Sequence, residues 1–177
     1  MSIPVSGLEL LENVQLEAQR TALYHVEVIG GKAIEKPLPK YLHQIIQRRI
    51  VRLLEAFYGE RVVEQLDFSV GGALRVPDIV VLAPDTKFVR GIVVTPPLLC
   101  VEILSPGQQP EDLFEKCEAY LAAGVPECWV FVPKLRTQGV YRVYPNAERV
   151  TESTRLDHGP VAISVPTLFE NLPNDIE

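Results

Sequence analysis

The chain has 177 residues, 47% of them hydrophobic, and a formal net charge of −6. That composition excludes a disordered chain, and the acidity argues against indiscriminate nucleic-acid binding. No apolar run approaches the roughly 18 residues needed to span a bilayer, and the length suits one domain over residues 1–177, with its core over 40–133.

Residues 7–19 have the pattern of a short helix. Tyr24–Ile29 and Lys32–Glu35 flank Gly30-Gly31 and predict a hairpin. Pro37 and Pro39 then interrupt the chain. Residues 41–57 predict a helix whose apolar stripe is His43, Ile46, Ile50, Leu53, Leu54 and Phe57. Arg48, Arg52 and Glu55 point the other way, with Arg49 at the edge. Val62–Val70 and Arg75–Ala83 read as strands about a Gly71-Gly72 turn. Leu98–Leu104 is a third strand, bounded by Pro96-Pro97 and Pro106. A second helix is expected over 110–123, with Pro110 near its start and Gly124 just past its end. Glu127–Val132 is a fourth strand. Val140–Tyr144, Arg149–Thr154 and Val161–Val165 predict further strands, and Pro166–Asn171 a closing helical turn. The order predicts an α/β fold: a mixed β-sheet flanked by helices, with an N-terminal β-hairpin and extra C-terminal strands.

The N-terminus lacks a basic-then-apolar signal pattern, so a cytoplasmic protein with no membrane contact is expected. The cysteines, Cys100, Cys117 and Cys128, are odd in number and form no CxxC, so they read as small buried hydrophobes. Charge is uneven along the chain. Residues 40–61 carry Lys40, Arg48, Arg49, Arg52 and Arg61 against Glu55 and Glu60, a net +3, which suits a nucleic-acid partner.

Glu102 interrupts the apolar run Leu98-Leu99-Cys100-Val101-Glu102-Ile103-Leu104. A buried carboxylate is costly unless it is paired or holds a cation. Asp78 heads the neighbouring strand after Pro77, and two adjacent strands can share a hard cation such as Mg²⁺ or Mn²⁺ between carboxylates. The plainer readings are a turn aspartate and an edge-strand glutamate. Lys116 lies about 60° around its helix from Leu113, beside Tyr120, and so borders the buried face. It could neutralise a phosphate, or simply pair with Asp112 one turn earlier. His43 shares an apolar face and reads either as a hydrogen-bonded core residue or as a substrate contact. Neither GxSxG nor a phosphate-cradling glycine loop is present.

Several segments together resemble the Uma-two family of restriction-endonuclease-like proteins. They are Arg75-Val76-Pro77-Asp78-Ile79-Val80-Val81, Pro97 through Pro106, Asp112-Leu113-Phe114-Glu115-Lys116 with Tyr120, and Ala123-Gly124-Val125-Pro126-Glu127-Cys128-Trp129. The likeness runs from Tyr24 to Tyr141. It implies the PD-(D/E)XK nuclease fold and a metal-dependent phosphodiesterase site. In that site Asp78 and Glu102 would be metal ligands. The parent motif's lysine stands two residues after the glutamate, where this chain has Leu104; the resemblance assigns that role to Lys116 of the following helix. Val132 and Gly107-Gln108 depart from the family pattern without removing a presumed ligand.

The reading is therefore a Mg²⁺- or Mn²⁺-dependent endonuclease acting on DNA. Asp78, Glu102 and Lys116 would be catalytic, with His43, Arg48, Arg49 and Arg52 as substrate contacts. A homodimer would suit cutting a duplex. The alternative is a non-catalytic module on the same scaffold, binding nucleic acid or protein. The acidic stretch 142–177, at a net −3, leans that way.

Overall fold

A computed structural model describes residues 26–29, 31–35, 41–105, 107–133, 140–144, 149–150 and 155–172. The helix expected over 7–19, Pro37 and Pro39, and the 151–154 end of the strand expected from Arg149 lie outside them.

The hairpin β1 (Val26–Ile29) and β2 (Lys32–Glu35) is antiparallel, as expected. Helix α1 (Tyr41–Tyr58) follows, then a short 3-10 turn at Gly59–Arg61. The two strands expected about Gly71-Gly72 are each interrupted. They form β3 (Val62–Glu64), β4 (Phe68–Val70), β5 (Ala73–Arg75) and β6 (Ile79–Val81). One antiparallel register runs through both halves, from Val62↔Val81 to Val70↔Ala73, so this is a single long hairpin bent in the middle. The bend falls where Gln65 adopts φ 51 and Pro77 removes a ladder donor. It sends β4 and β5 into one sheet and β3 and β6 into another.

The first sheet has the order β2-β1-β5-β4-β8-β7, where β7 (Phe88–Val89) and β8 (Ile92–Val93) form a small hairpin not expected from the sequence. Two-residue strands leave too short a pattern to read. The second sheet contains β9 (Leu99–Ile103), β10 (Cys128–Phe131), β11 (Val140–Val143) and β12 (Arg149–Val150), in the order β12-β11-β10-β9-β6-β3. Helix α2 (Pro110–Ala122) joins β9 to its parallel neighbour β10. A separate hairpin, β13 (Arg155–His158) with β14 (Val161–Ser164), precedes the short helix α3 (Val165–Phe169). Strand β13 was also not expected.

All five residues of β9 are buried because both faces of the second sheet are covered. Leu99, Val101 and Ile103 join Trp129 and Phe131 against Ile46, Ile50 and Leu54 of α1. Cys100, Cys128 and Val130 face Leu113, Cys117 and Tyr120 of α2. The three cysteines are buried and free, as expected. In α1 the stripe is rotated from expectation: Gln47 and Val51 are buried, whereas Leu53 and Phe57 are exposed. Both ends of α2 are fixed by sequence. Asp112 Oδ2 accepts the Gln109 N–H at 3.0 Å, and Gly124 at φ 99 lets Val125 N–H return to Tyr120 O at 3.1 Å. Among the described residues no helix is long and apolar enough to cross a membrane.

Candidate active site

The bent hairpin and β9 build the site. Strands β6 and β9 pair Ile79 with Val101 and Val80 with Cys100. One further step along this register sets Asp78 across from Glu102. Side-chain alternation turns the Glu102 carboxylate toward α2, where Tyr120 meets it. Asp78 and Glu102 are each 1% exposed. Strand β9 lies inside the sheet, so the edge-strand reading of Glu102 does not hold.

Asp78 is held from three directions. Its Oδ2 accepts the Ile103 N–H at 2.7 Å, and its Oδ1 accepts Gln65 Nε2 at 2.8 Å. Its backbone carbonyl accepts Gln47 Nε2 at 3.1 Å and the Gln65 N–H at 3.2 Å. Left-handed Gln65 thus belongs to the site's construction. Glu102 Oε1 accepts the Tyr120 hydroxyl at 2.7 Å. Burial first, and then the Glu102 charge, hold the Tyr120 phenol well above its usual pKa, so it remains a donor.

Lys116 is buried and lies between two acids. Its Nζ donates to Glu27 Oε1 at 2.8 Å and stands 3.8 Å from Glu102 Oε2. Asp112 is engaged in capping α2, so the surface-pair reading of Lys116 is not the one realised. Burial alone would lower the Lys116 pKa, but the Glu102 and Glu27 charges outweigh it and raise it. The ammonium therefore persists at neutral pH. Glu27 also accepts the Val76 N–H at 3.2 Å, a donor released by the bend before Pro77. One carboxylate thus ties β1 to the bend and to α2.

His43, at the start of α1, reaches the same place. Its Nδ1 is 3.1 Å from Ser105 Oγ, and its Nε2 is 3.5 Å from Asp78 Oδ1. That second contact is close enough for attraction, yet Nε2 makes no hydrogen bond. The arginines behave differently. Arg49 Nη1 donates to the carbonyls of Leu168 and Glu170 at 2.7 and 2.8 Å, which anchors the end of α3. Arg48 and Arg52 are exposed on α1. The structure therefore gathers Asp78, Glu102, Lys116 and His43, and leaves the three arginines outside the cluster.

Glu27, Gln47, Gln65, Ser105 and Tyr120 complete the cluster and were not singled out as site residues from sequence. Glu27 has a weak signal, a lone acid between valines in a hairpin. Gln65 has none.

Asp78 and Glu102 offer oxygen donors, the set a hard divalent cation prefers, and Mg²⁺ is commonly held by only one or two carboxylates with waters. Among the described residues no three His, Cys, Asp or Glu side chains are arranged as a ready cage. The pair fits a site completed by water and substrate oxygen, not a closed protein site.

No curated protein matches the chain. A solved structure described as "a putative nuclease belonging to DUF820 from Anabaena variabilis ATCC 29413" shares the fold, with a TM-score of 0.70 and 24% identity over 81% of this chain and 89% of that one. A family model described as "Putative restriction endonuclease" matches residues 11–173. The chain belongs to that family, Uma2.

Proposed function

We propose that this protein is a divalent-metal-dependent endonuclease that hydrolyses phosphodiester bonds in DNA. One observation carries the reading: two buried carboxylates, Asp78 and Glu102, flank the Ile79–Val101 pair of adjacent strands, with a buried ammonium 3.8 Å from one of them. Membership of a family described as restriction endonuclease supports it. Asp78 and Glu102 would hold the ion, Mg²⁺ or Mn²⁺. Bound there, it supplies Lewis acidity toward water and toward a phosphodiester oxygen.

The remaining roles belong to the chain itself. Lys116 keeps its proton, so it acts as a fixed positive charge against the phosphorane-like transition state and not as a base. Tyr120 orients Glu102, while Gln65 and the Ile103 N–H orient Asp78. His43 Nε2, buried beside Asp78 without a hydrogen bond, would contact a substrate oxygen. Exposed Arg48 and Arg52 on the same helix are available to backbone phosphates, and a homodimer would present two such sites to a duplex.

The rival reading is a scaffold that binds nucleic acid without cutting it. It draws on the existing protein donors to both carboxylates. Calorimetric titration of Mn²⁺ into wild type and Glu102→Gln separates the two, run beside a plasmid-nicking assay. The nuclease reading expects Mn²⁺ binding that Glu102→Gln loses, and nicking that Glu102→Gln abolishes. Wild type that neither binds Mn²⁺ nor nicks DNA would leave the binding module.

A further inference from the structure

The bend that builds the site also buries a charge that the catalytic reading does not use. Arg75 closes β5, three residues before Asp78, and is only 8% exposed. Its Nε has no hydrogen-bond partner. A guanidinium carries five donors, and a buried one left without an acceptor is a cost that an incoming anion would relieve.

The register shows which way the side chain points. Strands β1 and β5 pair Val28 with Leu74, and both pack with Ile92 on one face of the first sheet. Alternation sends their neighbours Glu27 and Arg75 to the opposite face, directly across from each other. On that face Glu27 reaches Lys116 Nζ at 2.8 Å. Phe68, the β4 partner of Arg75, lies there too, its ring 6.0 Å from that of Tyr120. Arg75 therefore borders the cluster of Glu27, Lys116, Glu102 and Tyr120.

We propose that Arg75 is an anion-binding residue of this site, taking a phosphate oxygen of a nucleic-acid backbone. The inference rests on the nuclease reading for the identity of the anion, but not for the existence of the subsite. Guanidinium is suited to this role because its planar fork matches phosphate oxygens two at a time and is weakly hydrated. The residue positions substrate: it adds a contact on the side of the cluster walled by β1 and β5, while the Asp78–Glu102 pair lies on the β6–β9 side.

Thermal melting tests this without any need for turnover. Wild type, Arg75→Met, Arg75→Lys and Asp78→Asn are compared in millimolar inorganic phosphate and in chloride of equal ionic strength. The expected result is a phosphate-dependent rise of about 3 °C in wild type. Asp78→Asn should keep that rise, Arg75→Lys should reduce it, and Arg75→Met should lack it. A second arm measures oligonucleotide binding in EDTA: Arg75→Met should lower the slope of log K against log salt by about 0.7 for a single strand or 0.9 for a duplex. The two slopes report which form is gripped. An unchanged phosphate rise and salt slope in Arg75→Met would make Arg75 a structural residue and overturn the proposal. So would a wild type indifferent to phosphate. Failure of Mn²⁺ binding or nicking would not touch these readouts, so the subsite and the nuclease reading fail separately.

Discussion

Two buried polar networks sit on the second sheet, and they are finished to different degrees. Near the start of β10, Glu127 accepts Trp129 Nε1 and Arg142 Nε on one oxygen, both at 2.8 Å. His158 Nδ1 stands 3.2 Å from the other. Arg142 also donates to the Asp157 carbonyl, and Tyr58 donates to the His158 carbonyl at 3.0 Å. One carboxylate meets several donors. At the β9–β6 end the proportions reverse: Glu27, Asp78 and Glu102 gather around Lys116, while His43 Nε2 and Arg75 Nε lack hydrogen bonds. A satisfied network locks a fold, whereas an unbalanced one is stabilised by what it binds. The first ties β10, β11 and β13 together; the second is where a cation and a phosphate would restore balance.

The largest way to test this contrast is Lys116→Met. Turnover should fall about 10²–10³-fold, the usual effect of removing one donor to transition-state charge. Stability should also fall by about 3 kcal/mol in urea denaturation, because two buried acids lose their shared cation. Millimolar Mn²⁺ should return part of that loss. A variant as stable and active as wild type would remove Lys116 from the site. Arg142→Leu should cost a similar ~3 kcal/mol by leaving Glu127 under-paired, yet leave kcat unchanged and gain nothing from Mn²⁺. Metal rescue of Arg142→Leu would erase the distinction between the networks.

The networks also titrate with opposite sign. Burial pushes the Glu127 pKa up, but the hydrogen bonds from His158, Trp129 and Arg142 more than offset it and hold it below the ordinary 4.5. Its stability contribution is therefore full above pH 4.5 and is lost as pH falls through the folded value. Lys116 is raised above 10.5, so its contribution is full below pH 10.5 and is lost as pH rises through the folded value. Denaturation against pH should show Glu127→Gln flattening the acid limb and Lys116→Met the alkaline limb. Exchanged effects would refute the assignment.

The candidate-site half of this contrast was the more legible in sequence. Glu102 stands out as a charge in an apolar strand, Asp78 follows Pro77, and Lys116 lies at helical spacing from Leu113. The fold class followed from the same runs. Partners brought together by tertiary structure were hidden. Glu27 lies 89 residues from Lys116 and 49 from Val76, and in a hairpin such an acid reads as solvent-facing. Gln65 took its role from a left-handed bend at a residue that gives no turn signal. The bend also made the two expected strands serve two sheets, which local periodicity could not register because the pairing never slips. The carbonyl acceptors of Arg49 were hidden as well, because charge pattern alone does not reveal a partner 119 residues away.

The smallest expected effect is also the sharpest on network closure. Trp129→Phe removes one neutral donor from Glu127 while keeping an aromatic ring in the core, so it should cost about 1 kcal/mol. In a finished network the loss is cushioned, since Arg142 and His158 still address the same carboxylate. Combined with Arg142→Leu, the two losses should then exceed their sum, because the second change strips an acid the first had already weakened. Tyr120→Phe is the matched change at the site. It removes a donor from Glu102 but leaves Lys116 Nζ nearby, and it should shift Mn²⁺ affinity more than stability. Strict additivity of the Glu127 pair, together with unchanged Mn²⁺ affinity in Tyr120→Phe, would mean that neither set of contacts acts as a network. The difference between the two ends of the sheet would then be one of residue counts alone.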